Sequence, residues 1–312
     1  MYSFVIPCYN SSESIRHVVE LTMEEMEKMN RREFEFVLVN DYSSSTKTMP
    51  VLKKLAEEYP CVTVLNLAKN AGQHNAIMAG LNYAKGDILI GMDDDMQTHP
   101  SQLPYLFEEL EKGYDIVYGY YPEKKHSAFR NFGSWVNYIS VRILIGKPKE
   151  LKTSSYWVAR KFVRDSVIEY QAPYAYIQGL FLRTTRNISC IPIQHFQREE
   201  GESNYTVKRL PKLWSNIIGF SITPLRLTEY CGFGLSLLSI IAAVVVLIRK
   251  ILNPAMALGW PSLMIVICFF SGIQLMFLGL IGEYIGRMFL GLNRQPQYVI
   301  REVIRQESEE QE

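Results

Sequence analysis

The sequence predicts an α/β domain with a mostly parallel sheet, followed by amphipathic interface helices and an all-α two-helix transmembrane hairpin. Three observations carry this reading. Apolar β-rich runs alternate with helical runs over the first 120 residues, polar clusters close several of the β-rich runs, and two long uncharged stretches lie near the end of the chain. The 312 residues are enough for about two units at ~150 residues each.

The β-rich runs are Ser3–Pro7, Phe34–Val39, Val62–Leu67, Asp87–Met92 and Asp115–Tyr118. Helical stretches fall between them at Ser14–Met29, Met49–Glu58, Gln73–Ala84 and Ser101–Glu111. Short connections in a βαβα order favour a parallel, right-handed sheet, whose ligands bind outside the carboxyl ends of the strands. The polar clusters Tyr9-Asn10, Asn40-Asp41 and Asp93-Asp94-Asp95 fall at those ends. No GxGxxG follows the first strand and no GxxxxGK[ST] occurs, so neither a dinucleotide fingerprint nor a P-loop is supported. Ser3–Pro7 reads as a strand with no basic run before it, which argues against a signal peptide.

Cys231 to Ile248 is an 18-residue run without charge, and Ser262 to Ile281 is a 20-residue one. Each approaches the ~20 residues that cross a ~30 Å hydrocarbon layer, and Leu237–Ile248 lacks the polar face of a soluble helix. The short connector holds Asn253-Pro254 and Gly259, so the spans form a hairpin. Its outer flanks carry Lys208, Arg209, Lys212, Arg226, Arg287, Arg294, Arg301 and Arg305, against Arg249 and Lys250 in the connector. The positive-inside rule then puts the α/β domain and both termini in the cytoplasm, on a multi-pass inner-membrane protein. The expected organisation is a cytoplasmic domain over 1–200, interface helices over 201–228, the hairpin over 229–286 and a cytoplasmic tail over 287–312, frayed over its acidic end Glu307–Glu312.

Charge sharpens the picture. The net charge is only +1, which excludes a generally basic nucleic-acid binder. The total hides segregation: residues 1–120 carry 10 Lys/Arg against 18 Asp/Glu, and residues 121–164 carry 10 against 2. That basic segment, interleaved with Phe129, Phe132, Trp135 and Ile139, suits docking on anionic headgroups, or else a solvated face packing Trp135 inward. Five cysteines with no CxxC pair exclude a disulfide scaffold and a cysteine zinc site.

The triple aspartate is the most informative feature. Three adjacent carboxylates repel unless a cation binds them, and hard Mg²⁺ or Mn²⁺ suits oxygen ligands. Alternation along an extended chain sends Asp93 and Asp95 one way and Asp94 the other.

Together with these features, several motifs identify a family. VIPCYN over residues 5–10, VNDYS over 39–43, KNAGQHNA over 69–76, DDDMQ over 93–97 and REEGES over 198–203 are joined by GEYIGR over 282–287 in the second span. The chain resembles the family 2 glycosyltransferases of the GT-A (nucleotide-diphospho-sugar transferase) fold, and within them the polyprenyl-phosphate glycosyltransferases that include dolichyl-phosphate mannose synthases. The resemblance implies that Pro7, Tyr9, Asp41, Lys69, Asp93 and Asp94 hold the UDP- or GDP-linked sugar. It implies a Mg²⁺ or Mn²⁺ site at Asp93, Asp95 and Gln97, catalytic roles for Asp95 and Arg198, and an acceptor-phosphate site at Arg198 and Ser203, with Lys208 and Arg209 sharing the work where Asn204 replaces the family's usual Lys.

Other departures bear on the acceptor. Thr153-Ser-Ser-Tyr-Trp157 stands where family members read TSGFR or TGDFR, so Trp157 replaces an Arg and Ser155 an Asp that some members have; Asn40 replaces an acid. A hydroxyl acceptor needs a general base, whereas a phosphate monoester with a second pKa of about 6 is already an anion at pH 7. The expected reaction is therefore inverting transfer to a polyprenyl phosphate such as undecaprenyl phosphate. The alternative is transfer to a hydroxyl of a lipid-linked saccharide, with Glu169, Glu199 or Glu200 as base. The absence of QxxRW argues against a processive synthase, and the intact Asp93, Asp95, Gln97 and Arg198 argue against an inactive scaffold. His195 is read as structural before metal-binding, and Gly279, Gly282 and Gly286 suit close helix packing, compatible with a homo-oligomer.

Overall fold

The computed structural model describes residues 1–122, 147–194, 222–252 and 259–306. Its strands are β1 (Tyr2–Cys8), β2 (Phe34–Asn40), β3 (Val62–Leu67), β4 (Ile88–Gly91), β5 (Ile116–Tyr120), β6 (Trp157–Arg160), β7 (Ile188–Pro192) and β8 (Ile300–Ile304). Its helices are α1 (Ile15–Lys28), α2 (Thr48–Glu58), α3 (Gln73–Tyr83), α4 (Leu103–Glu111), α5 (Lys161–Ile168), α6 (Ile177–Thr184), α7 (Thr223–Leu252) and α8 (Trp260–Leu292). All nine α/β elements expected over residues 1–120 are present, with ends displaced by no more than two residues.

One eight-stranded sheet has the order β7-β5-β6-β4-β1-β2-β3-β8. The centre is parallel, with β1 between β4 and β2 and β3 beyond β2. β6 runs antiparallel between β4 and β5, and β7 pairs parallel with β5. Strand alternation divides the buried side chains into two layers. Phe4, Ile6, Phe36, Leu38 and Ile90 pack on the face that holds Ile15, Val18, Val19 and Met26 of α1 and Leu103, Leu106 and Phe107 of α4. Val5, Val37, Val39 and Leu89 pack on the opposite face with Ala76, Met78 and Ala79 of α3 and Phe181 of α6. In α1 the buried positions 15, 18, 19, 22 and 26 form a single helical stripe.

β4 packs closely against β6. A Cβ on Gly91 would stand 2.2 Å from the Trp157 indole. Trp157 is fully buried, edge-on to Phe181 with centroids 4.8 Å apart. The Trp that stands in place of a family Arg is thus a core residue, pressed against the strand that leads into the aspartate cluster.

The carboxyl-terminal region does more than trail from the hairpin. The residues expected as a tail contain β8, which pairs antiparallel with β3, placing Ile300 beside Leu67 and Ile304 beside Val64. Ala68 N–H donates to the Val299 carbonyl at 2.8 Å, extending the pairing. Local propensity alone could not signal this, because IREVI alternates only weakly and its partner lies more than 230 residues earlier. The chain therefore leaves the domain, forms α7 and α8, and returns to the sheet. It enters at Leu67, the carboxyl end of β3.

α7 and α8 each contain a 24-residue stretch long and apolar enough to cross a membrane, Thr223–Val246 and Phe269–Leu292. Leu237, Leu238, Ile240 and Ile241 on α7, and Leu275, Met276 and Leu278 on α8, are exposed. α8 extends past the expected end of its apolar run, so Glu283 and Arg287 lie on it and form an i,i+4 pair at 2.8 Å.

Candidate active site

The carboxyl ends of β1, β2 and β4 converge, and each is followed by a residue in the left-handed region: Asn10 (φ 60°), Tyr42 (φ 53°) and Met96 (φ 62°). Such backbone is costly for side chains other than glycine and concentrates where a site is pre-formed. Hydrogen bonds hold each turn.

Asn10 ties the first loop to the second. Its amide nitrogen donates to Ser44 Oγ at 3.0 Å and its oxygen accepts the Ser45 N–H at 2.9 Å. Tyr9 is half-exposed beside it, and its N–H donates to Asp94 Oδ2 at 3.1 Å. The Ser14 hydroxyl donates to the Asp94 carbonyl. Asp94 is therefore held against the β1–α1 loop, and burial lifts its carboxyl to about 6. Pro7 lies partly buried in β1.

Asp41 is buried, and its two oxygens accept the N–H groups of Ala71 at 2.6 Å and Gly72 at 2.9 Å. A carboxylate at the amino end of α3 also meets the favourable end of the helix dipole. Gly72 caps that helix at φ 86°, a conformation that favours glycine. Asp41 thus shapes the turn that presents the exposed Lys69. Asn40, where the family has an acid, donates to Asn66 Oδ1 at 2.8 Å and accepts from the Ser43 hydroxyl at 2.6 Å.

The aspartates lie beyond β4, in a bend where strand alternation no longer applies, and each has its own partners. Asp93 Oδ1 accepts from the Gln73 side-chain amide at 3.0 Å, and Oδ2 accepts from the Ser155 hydroxyl. Asp95 Oδ1 accepts the Gln97 N–H at 3.2 Å, closing a tight turn over the buried Met96. The Tyr121 hydroxyl donates to the Gln97 carbonyl at 2.7 Å; burial, then the charges of Asp93 and Asp95, push its pKa up and keep it a neutral donor. Gln73, Tyr121 and Ser14 join the site only in the structure. Gln73 lies inside a recognisable motif, but the positions that Tyr121 and Ser14 take depend on which strands become neighbours. Arg198, Ser203, Lys208, Arg209, Glu199, Glu200, His195 and the apolar residues of the basic segment lie outside the described residues. Glu169 is exposed at the end of α5.

Among the described residues, no three carboxylate, imidazole or thiol groups gather into a metal cage. Asp95 and Gln97 on one tight turn offer instead the partial donor set that Mg²⁺ or Mn²⁺ takes alongside substrate phosphates. The donor chemistry fits such an ion.

The model of the family described as "Glycosyl transferase family 2" matches residues 3–170, which contain all three clusters. The chain belongs to this family. Among curated relatives, the undecaprenyl-phosphate 4-deoxy-4-formamido-L-arabinose transferase of Pseudomonas savastanoi pv. phaseolicola is 33% identical over 98% of this chain and 92% of its own length. The enzyme of the same name from Edwardsiella ictaluri is 34% identical over 99% of this chain and 97% of its own. Among solved structures, Mycobacterium tuberculosis glucosyl-3-phosphoglycerate synthase, in complex with Mn²⁺, uridine diphosphate and phosphoglyceric acid, superposes with a TM-score of 0.53 at 15% identity, covering 72% of this chain and 78% of that one. This glycosyltransferase therefore shares its α/β fold with a sugar transferase that lacks close sequence kinship, and shares its whole length with the undecaprenyl-phosphate enzymes.

Proposed function

We propose that this family 2 glycosyltransferase moves one sugar from a nucleotide-diphosphate donor to undecaprenyl phosphate, or a closely similar polyprenyl phosphate, at the cytoplasmic face of the inner membrane. The observation that carries this reading is the return of the chain from α8 into the sheet at the carboxyl end of β3. That edge is the one on which the three polar clusters open, so the apolar hairpin and the site share one end of the domain. The return path is anchored there: the Gln297 amide donates to the carbonyls of Tyr170 at 2.6 Å and Ala172 at 2.8 Å, and the Arg287 guanidinium lies 4.8 Å from the centre of the Tyr174 ring. Two exposed apolar helices of this size suit lipid, not water. The full-length kinship with undecaprenyl-phosphate transferases supports the same acceptor.

The roles rest on the family motifs, supported on the donor side by the arrangement of the described residues. Tyr9, Asp41 and Lys69 frame the nucleotide on the β1–β2 side, and Asp93 faces the ribose. Asp95 and Gln97 would hold Mg²⁺ or Mn²⁺, which would supply Lewis acidity to the departing diphosphate. The Ser155 hydroxyl fixes Asp93 where some members place a base. A lipid phosphate, already anionic, attacks without one, inverting the anomeric carbon. Arg198 and Ser203, with Lys208 and Arg209, receive the acceptor phosphate.

The decisive experiment offers purified full-length protein a panel of radiolabelled UDP- and GDP-sugars, including UDP-4-deoxy-4-formamido-L-arabinose, with undecaprenyl phosphate and Mn²⁺. Label should enter the organic phase as an acid-labile monoglycosyl phospholipid. Label only on a pre-glycosylated lipid would establish the hydroxyl-acceptor reading instead.

A further inference from the structure

The sheet order gives the site two flanks. β1 and β2, with Tyr9 and Asp41, lie on one side of β4; β6 and the segment leading into it lie on the other. Asp93 stands on the boundary, reached by Ser155 from the β6 side. Two residues before Ser155, the Thr153 hydroxyl accepts a hydrogen bond from Lys147 Nζ at 2.9 Å.

Lys147 is an unusual cation. It is partly buried, and desolvation lowers its pKa. An ammonium has three donors, and among the described residues this one meets a single hydroxyl and no carboxylate within ion-pairing distance. Its neighbours differ: Lys152 lies over the Tyr120 ring at 4.6 Å, and Lys149 is exposed. Among the described residues Lys147 has no counter-charge, and a desolvated charge left so costs stability, which favours an anionic partner. Residues 121–164 contain only two acids, Glu123 and Glu150, and Glu150 is exposed.

The Lys147–Thr153 pair is built to receive an oxyanion. The Thr153 oxygen accepts from the ammonium, which leaves the hydroxyl proton and two ammonium protons to donate outward. We propose that Lys147, with Thr153, binds the phosphate of the acceptor lipid. This rests on the reading of the chain as a polyprenyl-phosphate glycosyltransferase. The donor diphosphate is assigned to the Asp95–Gln97 turn and the β1–β2 flank, whereas Lys147 and Thr153 lie on the segment leading into β6, whose Ser155 reaches Asp93.

The test compares wild type, Lys147→Met, Lys147→Arg and Thr153→Val as full-length proteins in nanodiscs, assayed with undecaprenyl phosphate and the donor that wild type uses. Lys147→Met should raise the KM for lipid phosphate about tenfold to a hundredfold, the loss expected for a charge-assisted bond. Its KM for the nucleotide sugar should stay unchanged, and its Tm should hold or rise because a desolvated charge is gone. Lys147→Arg should recover most of the affinity, and Thr153→Val should show a smaller loss. An unchanged lipid KM in Lys147→Met overturns the proposal, as does a rise in donor KM alone, which would assign Lys147 to the diphosphate. A lower Tm with both KM values raised would assign it to structure. Failure of wild type to glycosylate bare lipid phosphate, by contrast, refutes the functional reading itself.

Discussion

Three consecutive carboxylates take three different roles because their surroundings differ. Asp94 turns inward to accept the Tyr9 N–H, and burial raises its pKa to about 6. Asp93 is pinned between Gln73 and Ser155. Asp95, on the turn through Met96, is the one best placed for a cation. Asp95→Asn removes one charge at constant volume, so it should lower kcat by about a hundredfold or more, as loss of a preorganised electrostatic contact does. Its Tm should stay near wild type, since the residue lies on a surface turn. EDTA should reproduce the defect, and Mn²⁺ or Mg²⁺ should reverse it. Undiminished turnover in chelated, metal-free buffer would remove the metal from the mechanism.

At the scale of elements, β4 and α3 carry the site, and each has a specific weakness. β4 can approach β6 only because Gly91 has no side chain under the Trp157 indole. Gly91→Ala should destabilise the domain by about 1–3 kcal/mol, the usual cost of overpacking. Adding Trp157→Leu should restore part of the lost Tm, a coupling that thermal melts of the single and double variants measure. In α3, His74 packs edge-on against Tyr176, and its enclosed Nδ1 meets no hydrogen-bond partner among the described residues. Desolvation lowers its pKa to about 4. Above pH 6.5 the folded and unfolded states are both neutral there, and the residue adds no pH dependence. Between pH 6.5 and 4 the unfolded chain takes up the proton first, so stability falls as pH falls, by about 3 kcal/mol at most. His74→Phe keeps the ring contact and should flatten that part of the Tm–pH curve; identical slopes in the two proteins would refute this.

At the scale of the whole molecule, β8 makes the hairpin an excursion from the sheet. On the proposed topology, both ends of the two-helix hairpin lie on the cytoplasmic side, because both are rooted in the one domain. A periplasm-activated reporter fused after Glu312 should therefore stay silent, while one inserted in the connector between α7 and α8 should be active. β8 also covers the β3 edge, which would otherwise offer unpaired backbone groups to another chain. Truncation after residue 222 should aggregate more than a chain in which a flexible linker joins residue 222 to residue 295 and retains β8. Size-exclusion chromatography of the two chains gives the comparison.

By itself the sequence determined the alternating α/β order, the three polar clusters at strand ends, the family and the two apolar helices. These are written in local signals: the burial stripe of α1, the run Asp93–Asp95, and uncharged stretches long enough for a bilayer. The pinning of Asp93 by Ser155 and Gln73, the Tyr121–Gln97 bond, the Lys147–Thr153 clip, the core role of Trp157 and the return of β8 to β3 were decided only in three dimensions. Apart from the Lys147–Thr153 clip, six residues long, each depends on residues far apart along the chain. Local patterns fix the period and face of an element, but which elements become neighbours is set by packing of the whole sheet, and the precise partners of a side chain follow from that choice.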